Sequence, residues 1–275
     1  MIRKVFVFDF DGTLTVPVDG ADGVFLRAHQ EGFAALVGRS LDWVVERYAA
    51  AREIIAANPN LHGWDIGGRI VAPALVDIYV EARVCAQIVL RQMGEDLVAW
   101  DACLDALYQE HYLKFVTDFR PELVEVLSGL RRQGIPFYIV TNSDPVKVQK
   151  RLEVLGVDAA WIAPQVRGDA KKFVVTPGEG GVPEVIAFPG LSRPVYVSKR
   201  HYHRVLSGIM NDHGFFWSQV TVVGDIAELD LAFPVEVLRA NGCLMLGPNT
   251  PDYEQRWAIS HPRVRIATNL YEAVA

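Results

Sequence analysis

The first apolar run of the chain is short and ends at two aspartates. Residues 5–8 are all apolar, Asp9 and Asp11 follow two positions apart, and Gly12 and Thr13 come next. An apolar run of this length that stops at a glycine turn is typical of a strand buried in a parallel sheet. Ligands of open α/β sheets bind beyond the carboxyl ends of the strands. The pattern therefore predicts a functional site around the two aspartates.

A helical pattern follows this strand directly. Over residues 16–116, apolar positions recur at helical spacing, for example in LDWVVERYAAAREIIAA and ALVDIYVEARVCAQIVLRQMG. The alternation of strands and helices resumes near Asp118. We therefore predict an all-helical insertion at 16–116, placed in an α/β core that is formed by 1–15 and 117–275.

The second half of the chain alternates short apolar runs with helical segments. The strands are predicted at IPFYIVT, VTVVGD, CLML and VRIA, and Asp144 with Pro145 is predicted to begin a helix as N-cap and first residue. This alternation predicts a doubly wound parallel sheet of the Rossmann-like kind. The glycine- and proline-rich stretch 163–198 contains FVV, EVIAF and PVYV as candidate short strands, so we expect a hairpin-like elaboration there.

Composition and charge narrow the class of protein. A net charge of −6 without long basic runs disfavours a nucleic-acid surface, and no stretch has the length of a transmembrane helix. The run 5–8 is too short for a signal peptide. Cys85, Cys103 and Cys243 are odd in number and form no CxxC pair, so neither a disulfide framework nor a zinc site is expected. We expect a cytoplasmic protein with a small-molecule partner, while the sequence favours no oligomeric state.

Two further strand ends carry polar residues. Thr141 and Asn142 follow IPFYIV, Asp225 follows VTVVG, and Asp230 comes five positions later. Carboxylates that are buried side by side cost several kcal/mol unless a positive group pairs with them. The pair Asp9 and Asp11 therefore calls for a metal ion, for which Mg²⁺ is the natural candidate.

The ordered motifs DFDGT, VTNS and GDIAELD resemble those of the haloacid dehalogenase superfamily with a helical cap of the C1 type. The resemblance implies an Mg²⁺-dependent phosphatase that acts on a small phosphorylated metabolite. It makes Asp9 the nucleophile that becomes an aspartyl-phosphate and Asp11 the general acid and base. Thr141 and Asn142 would hold the phosphoryl oxygens.

The same resemblance implies the metal ligands and an active-site lysine. Mg²⁺ would be held by Asp9, the Asp11 carbonyl and Asp225, with Asp230 as the partner of Asp225. Lys199 is the preferred lysine, because it opens a helical segment 26 residues before Asp225, close to the usual spacing. Lys171 and Lys172 are the competing choices.

Two observations select among the chemistries of the superfamily. Haloacid dehalogenases that attack carbon lack an acid at the position of Asp11, so its presence favours phosphoryl transfer. Residues 16–113 contain no lysine, which argues against the Schiff-base chemistry of phosphonoacetaldehyde hydrolases. A phosphomutase of the β-phosphoglucomutase type and a non-catalytic ligand-binding protein of the same fold remain the alternatives.

Overall fold

The computed structural model describes residues 4–16, 23–112, 118–177 and 183–275. The chain forms two compact units. Unit 1 comprises Met1–Val16 and Phe119–Ala275, and unit 2 comprises Pro17–Asp118. Unit 1 is thus built from two separate segments of the chain, and we refer to it as the core unit and to unit 2 as the cap unit.

Within the described residues the chain forms ten strands. They are β1 (Val5–Phe8), β2 (Gly63–Ile66), β3 (Arg69–Pro73), β4 (Phe137–Val140), β5 (Val166–Arg167), β6 (Val185–Ile186), β7 (Val195–Tyr196), β8 (Val220–Gly224), β9 (Asn241–Met245) and β10 (Val264–Ala267).

The same residues form eleven α-helices and one π-helical segment, Ala227–Leu231. The helices are α1 (Val24–Val37), α2 (Leu41–Ala57), α3 (Ile78–Gln92), α4 (Leu97–Tyr112), α5 (Leu123–Arg132), α6 (Pro145–Val154), α7 (Ala159–Ile162), α8 (Arg200–His213), α9 (Ala232–Glu236), α10 (Asp252–Ser260) and α11 (Leu270–Val274). No helix in this part of the chain is both long and apolar enough to cross a membrane.

A six-stranded parallel sheet lies at the centre of the core unit, in the order β10-β9-β8-β1-β4-β5. Phe6 of β1 pairs with Phe137 on one side and with Thr221 on the other. Successive side chains of a strand point to opposite faces. Val5 and Val7 therefore enter one apolar cluster, and Phe6 and Phe8 enter another. The predicted doubly wound sheet is confirmed, and β1 is central in it.

Local signals in the core unit also agree with the structure. Asp144 accepts a hydrogen bond from the Lys147 amide at 3.0 Å and caps α6, whose first residue is Pro145. β6 and β7 form an antiparallel pair, as expected of a hairpin-like elaboration. The predicted strand FVV at 173–175 is wrong, since the edge strand is instead β5, which pairs with β4. Residues 178–182, which include the end of TPGEGG and the following valine, lie outside the described residues.

The cap unit corrects the prediction of an all-helical insertion. Strands β2 and β3 form an antiparallel hairpin between α2 and α3. Gly67 and Gly68 make its turn with φ of 60° and 79°, the left-handed backbone that a two-residue hairpin turn requires. The Gly68 amide donates to Asp65 Oδ1 at 2.8 Å, which closes the turn. Two adjacent glycines therefore place a hairpin among the helices.

Candidate active site

Asp9 and Asp11 lie where β1 ends. The Asp9 amide donates to the Val223 carbonyl at 2.8 Å, so Asp9 is still held by the neighbouring strand β8. Gly12 then turns the chain with φ of 76°. A Cβ atom at Gly12 would collide with the Asp225 carboxylate. Glycine is therefore needed here for its backbone conformation and for the close approach of an acidic side chain.

Asp225 and Asp230 reach the same place from the end of β8. Thr13 Oγ1 donates to Asp225 Oδ1 at 3.1 Å, and Asp230 Oδ2 accepts from the Ile226 amide at 3.2 Å. Carboxylate oxygens of Asp9, Asp225 and Asp230 lie within 4.8 Å of one another. The geometry thus brings Asp9 together with two acids that lie more than 200 positions further along the chain.

The lysine at this acidic cluster is Lys172. Its Nζ donates to Asp9 Oδ1 at 2.5 Å and to Asp230 Oδ1 at 2.8 Å, and the side chain is 1% exposed. Burial alone would lower the pKa of Lys172, but the carboxylates of Asp230 and Asp9 outweigh it and raise the pKa. Lys172 is therefore a permanently charged ammonium between two acids.

The preference for Lys199 is corrected by this geometry. Lys199 Nζ donates to the carbonyls of Glu228 and Leu229, at 2.7 and 3.0 Å, and not to Asp9. Burial lowers the pKa of Lys199 to about 7, although Asp230 and Glu228 act to raise it. The ammonium that meets Asp9 belongs to the competing lysine, while the preferred one binds the backbone of the π-helical segment.

A strained turn after β5 presents Lys172. Asp169 and Lys171 have φ of 50° and 46°, in the left-handed region that non-glycine residues seldom adopt. Hydrogen bonds from the end of β4 hold this turn. Thr141 O accepts from the Ala170 amide at 2.9 Å, and Asn142 Oδ1 accepts from the Lys172 amide at 2.8 Å. Lys171 itself is exposed.

Thr141 and Asn142, the predicted phosphate-binding residues, lie at the end of β4. Thr141 is buried, and its Oγ1 accepts from the Ser143 amide at 3.1 Å. Asn142 is partly exposed, and its Oδ1 is engaged by the turn that carries Lys172. Asn142 therefore orients the lysine, which its position after a strand did not indicate.

Two residues beside Asp11 were not predicted from the sequence. Ser143 Oγ donates to Asp11 Oδ2 at 2.6 Å, and Arg151 Nη1 lies 3.5 Å from Asp11 Oδ1. Ser143 belongs to the VTNS motif, so its place after β4 was a usable signal. Arg151 approaches from α6, and only the packing of this helix reveals it. Together they fix the orientation of the Asp11 carboxylate.

The cluster holds more negative than positive charge. Asp9, Asp225 and Asp230 supply three carboxylates, and the Lys172 ammonium contacts two of them, Asp9 and Asp230. Burial raises the pKa of Asp9, while the adjacent Lys172 ammonium opposes this rise. A second positive charge here would favour the carboxylate form of Asp9. The arrangement therefore fits a divalent cation chemically, because buried carboxylates need such a partner.

The chain belongs to the haloacid dehalogenase-like hydrolase family, whose sequence model matches residues 3–233. The matched region contains every residue of the acidic cluster. No curated protein matches the chain. The general class is therefore a hydrolase of this family.

Solved structures with a similar fold cover nearly the whole chain. A predicted phosphoglycolate phosphatase from Haemophilus somnus is 15% identical, with a TM-score of 0.54, over 100% of this chain and 97% of that one. A haloacid dehalogenase-like hydrolase from Bacteroides fragilis is 14% identical, with a TM-score of 0.54, over 98% and 99%. The hydrolase YfnB from Bacillus subtilis, solved with magnesium, is 14% identical, with a TM-score of 0.52, over 99% and 97%.

Proposed function

We propose that the protein is an Mg²⁺-dependent phosphatase that hydrolyses a small phosphorylated metabolite through an aspartyl-phosphate at Asp9. The observation that carries this proposal is the Lys172 ammonium between Asp9 and Asp230, with Asp225 in the same cluster. A phosphoryl group brings further negative charge to a carboxylate nucleophile. An excess of acids around one lysine suits a site where that charge is met by a fixed ammonium and a metal ion.

The donor set fits Mg²⁺. Oxygen ligands from one or two carboxylates, completed by water and phosphate, are what this ion prefers. Asp9, Asp225 and the Asp11 backbone carbonyl would hold it, and Asp230 would orient the group through Lys172 and the Ile226 amide. When bound, the ion supplies positive charge that stabilises the phosphoryl oxygens in the transition state.

In the first step, the Asp9 carboxylate attacks phosphorus, and a new O–P bond forms as the bond to the leaving oxygen breaks. Asp11 gives its proton to that oxygen, so the product leaves as an alcohol. Ser143 and Arg151 keep the Asp11 carboxyl in a single orientation. Lys172 neutralises charge on Asp9 while the phosphoryl group is transferred.

In the second step, water attacks the phosphorus of the aspartyl-phosphate. Asp11, now a carboxylate, takes the proton of that water, and the O–P bond to Asp9 breaks. Inorganic phosphate leaves, Asp9 is a carboxylate again, and Asp11 is again protonated. The side chains of Thr141 and Asn142 lie at the end of β4, where they position the phosphoryl oxygens.

Two fold relatives have names that agree with the proposal. One is described as a phosphoglycolate phosphatase, and YfnB was solved with magnesium. Their identities of 14–15% make them evidence for the fold. The proposal therefore rests on the charged residues of this chain.

The test is Mg²⁺-dependent release of inorganic phosphate from a panel of phosphorylated metabolites and an aryl phosphate. We expect activity in the wild type, loss of more than about 1,000-fold in Asp9→Asn, and wild-type activity in Asp252→Asn, a control at an exposed aspartate. Equal rates in wild type and Asp9→Asn would refute the aspartyl-phosphate. Isomerisation of a sugar phosphate without phosphate release would identify a phosphomutase instead.

A further inference from the structure

The π-helical segment 227–231 is held by side chains that the proposed mechanism does not use. Segments of this kind are rare and are frequently found at functional sites. Here the segment follows Asp225 and contains Asp230. We propose that Lys199, Tyr202 and Glu254 form a clamp on this segment, and that they are positioning residues for Asp230 within it and for Asp225 just before it. This inference rests on the proposed function, since it concerns how Mg²⁺ is bound.

Two side chains at α8 bind three consecutive carbonyls of the segment. Lys199 Nζ donates to Glu228 O at 2.7 Å and to Leu229 O at 3.0 Å. Tyr202 OH donates to Asp230 O at 3.2 Å. Both side chains are almost fully buried, with 1% and 0% exposure. Buried carbonyls cannot accept hydrogen bonds from bulk water. These side-chain donors therefore satisfy them and fix the path of the backbone.

A carboxylate from α10 binds an amide near the start of the segment. Glu254 Oε1 accepts from the Glu228 amide at 2.9 Å, and the residue is fully buried. The Glu228 side chain is in turn held by both terminal nitrogens of Arg193, at 2.6 and 2.7 Å, and by Tyr253 OH at 2.8 Å. The segment is therefore bound at its amides, its carbonyls and one of its side chains.

The clamp controls the position of the acids because they are part of the same short backbone. Asp230 contacts Lys172 at 2.8 Å, and it packs closely against Gly224, where a Cβ would collide with it. Outer partners that orient metal ligands typically change metal affinity by about 10- to 100-fold when removed. The clamp is expected to act in this way on Mg²⁺.

Two clamp residues are set apart from the residues of the proposed mechanism. Glu254 lies beyond residues 3–233, the region that matches the family. Lys199 is free to bind the segment because Lys172 fills the place beside Asp9. The chain thus uses two buried lysines for two tasks, one at the nucleophile and one at the backbone that carries the metal-site acids.

The test is calorimetric titration of Mg²⁺ into the full-length protein, with the melting temperature measured in parallel. We expect Lys199→Met to weaken Mg²⁺ binding by about tenfold or more, and Tyr202→Phe to weaken it by about threefold. The matched control is Tyr48→Phe in the cap unit. Tyr48 is equally buried, and its hydroxyl lies 3.2 Å from His29 Nδ1, so this variant should lower stability but leave Mg²⁺ affinity within about twofold.

Each outcome separates the clamp from the proposed function. Unchanged Mg²⁺ affinity in Lys199→Met or, if that variant does not fold, in the nearly isosteric Tyr202→Phe would overturn the clamp while leaving the phosphatase proposal intact. Wild-type protein that binds no Mg²⁺ would overturn the proposed function, and the clamp with it. A matching loss of affinity in Tyr48→Phe would also overturn the clamp, because the effect would then follow stability alone.

Discussion

The two units bury charge in different ways. In the core unit, the three carboxylates of Asp9, Asp225 and Asp230 lie together, and the ammonium of Lys172 contacts two of them, Asp9 and Asp230. In the cap unit, the buried acid Glu81 is hydrogen-bonded to Arg52 across α2 and α3. One cluster therefore has an excess of like charges, whereas the other is an ordinary ion pair.

The difference indicates that the core cluster serves function, whereas the cap pair serves the stability of the fold. In a balanced ion pair each charge is compensated by its partner, so no ligand from solution is needed to neutralise it. An excess of buried carboxylates is costly in the isolated chain and is retained where a ligand supplies the missing charge. The imbalance, more than burial itself, is what marks the core cluster as the place of chemistry.

Removal of the Lys172 ammonium should have the largest effect on activity. Lys172→Met should lower kcat by about 1,000-fold, equivalent to about 4 kcal/mol, because the charge that faces Asp9 is lost. Lys171→Met, at the exposed neighbour, is the control and should keep wild-type kcat. Steady-state phosphate release measures both. Similar kcat values in the two variants would return the role to another lysine.

Removing one partner of the cap pair tests the other half of the comparison. Arg52→Met should destabilise the protein by about 3 kcal/mol, because Glu81 is left buried and unpaired. Burial already raises the pKa of Glu81 to about 7 against the opposing effect of Arg52. Unfolding in urea measures the loss.

Arg83 provides the matched control for Arg52. It pairs with Asp101 and Asp105, which are largely exposed, so Arg83→Met should cost less than about 1 kcal/mol. The double variant Arg52→Met with Glu81→Leu should recover much of the loss, since it removes the orphaned charge. Equal costs for the two arginine variants would show that the Glu81 pair is not special.

A neutral buried histidine makes the cap unit sensitive to acid. Burial, reinforced by His111 and Arg83, lowers the pKa of His29 from 6.5 to about 3. Between these two pH values the unfolded chain binds a proton that the folded chain excludes. His29 therefore does not lower the free energy of unfolding above pH 6.5. As the pH drops from 6.5 toward 3, it lowers this free energy by at most about 1.4 kcal/mol per pH unit.

His29→Gln should flatten this acid dependence, which urea titrations at pH 7, 6 and 5 would measure. His203→Gln, at an exposed position on α8, is the control and should retain the wild-type slope. An unaltered slope in His29→Gln would assign the acid sensitivity to other groups.

Loss of one acid from the core cluster should have a smaller effect, and this effect should be on stability. Asp225→Asn should stabilise the metal-free protein by about 1 kcal/mol, because it removes one of three like charges while Thr13 can still donate to Oδ1. The same variant should lose Mg²⁺ binding. Thermal melts with and without Mg²⁺ measure both, and lower stability of the variant in the metal-free melt would contradict the charge excess.

The sequence contained enough to predict the sheet and the acids of the cluster. Asp9 and Asp225 each follow an apolar run of strand length, and parallel strands bring such ends to one edge. The motif order identified the family, which the match over residues 3–233 shows. These features depend on short segments of the chain, and for that reason they can be predicted from the sequence.

Other features depend on how distant segments pack together, and they could not be predicted from the sequence. Lys172 reaches Asp9 through a turn in which Asp169 and Lys171, neither of them glycine, take left-handed conformations. Spacing therefore favoured Lys199, which opens a regular helix. Arg151 meets Asp11 only because α6 packs on the face of the sheet that buries Phe6 and Phe8. The hairpin β2–β3 is a different case, since its Gly67-Gly68 turn was present in the sequence and was outweighed by the surrounding helical pattern.

The central place of β1 has a consequence for synthesis on the ribosome. β1 is made before the cap unit, yet both strands that flank it, β4 and β8, come after the whole cap unit. Domains tend to fold as units while the chain emerges. The cap unit is thus complete while the apolar strand Val5–Phe8 still waits for its partners. We expect this strand to need shielding during translation, and the nascent chain to be most prone to aggregation before Gly224 emerges.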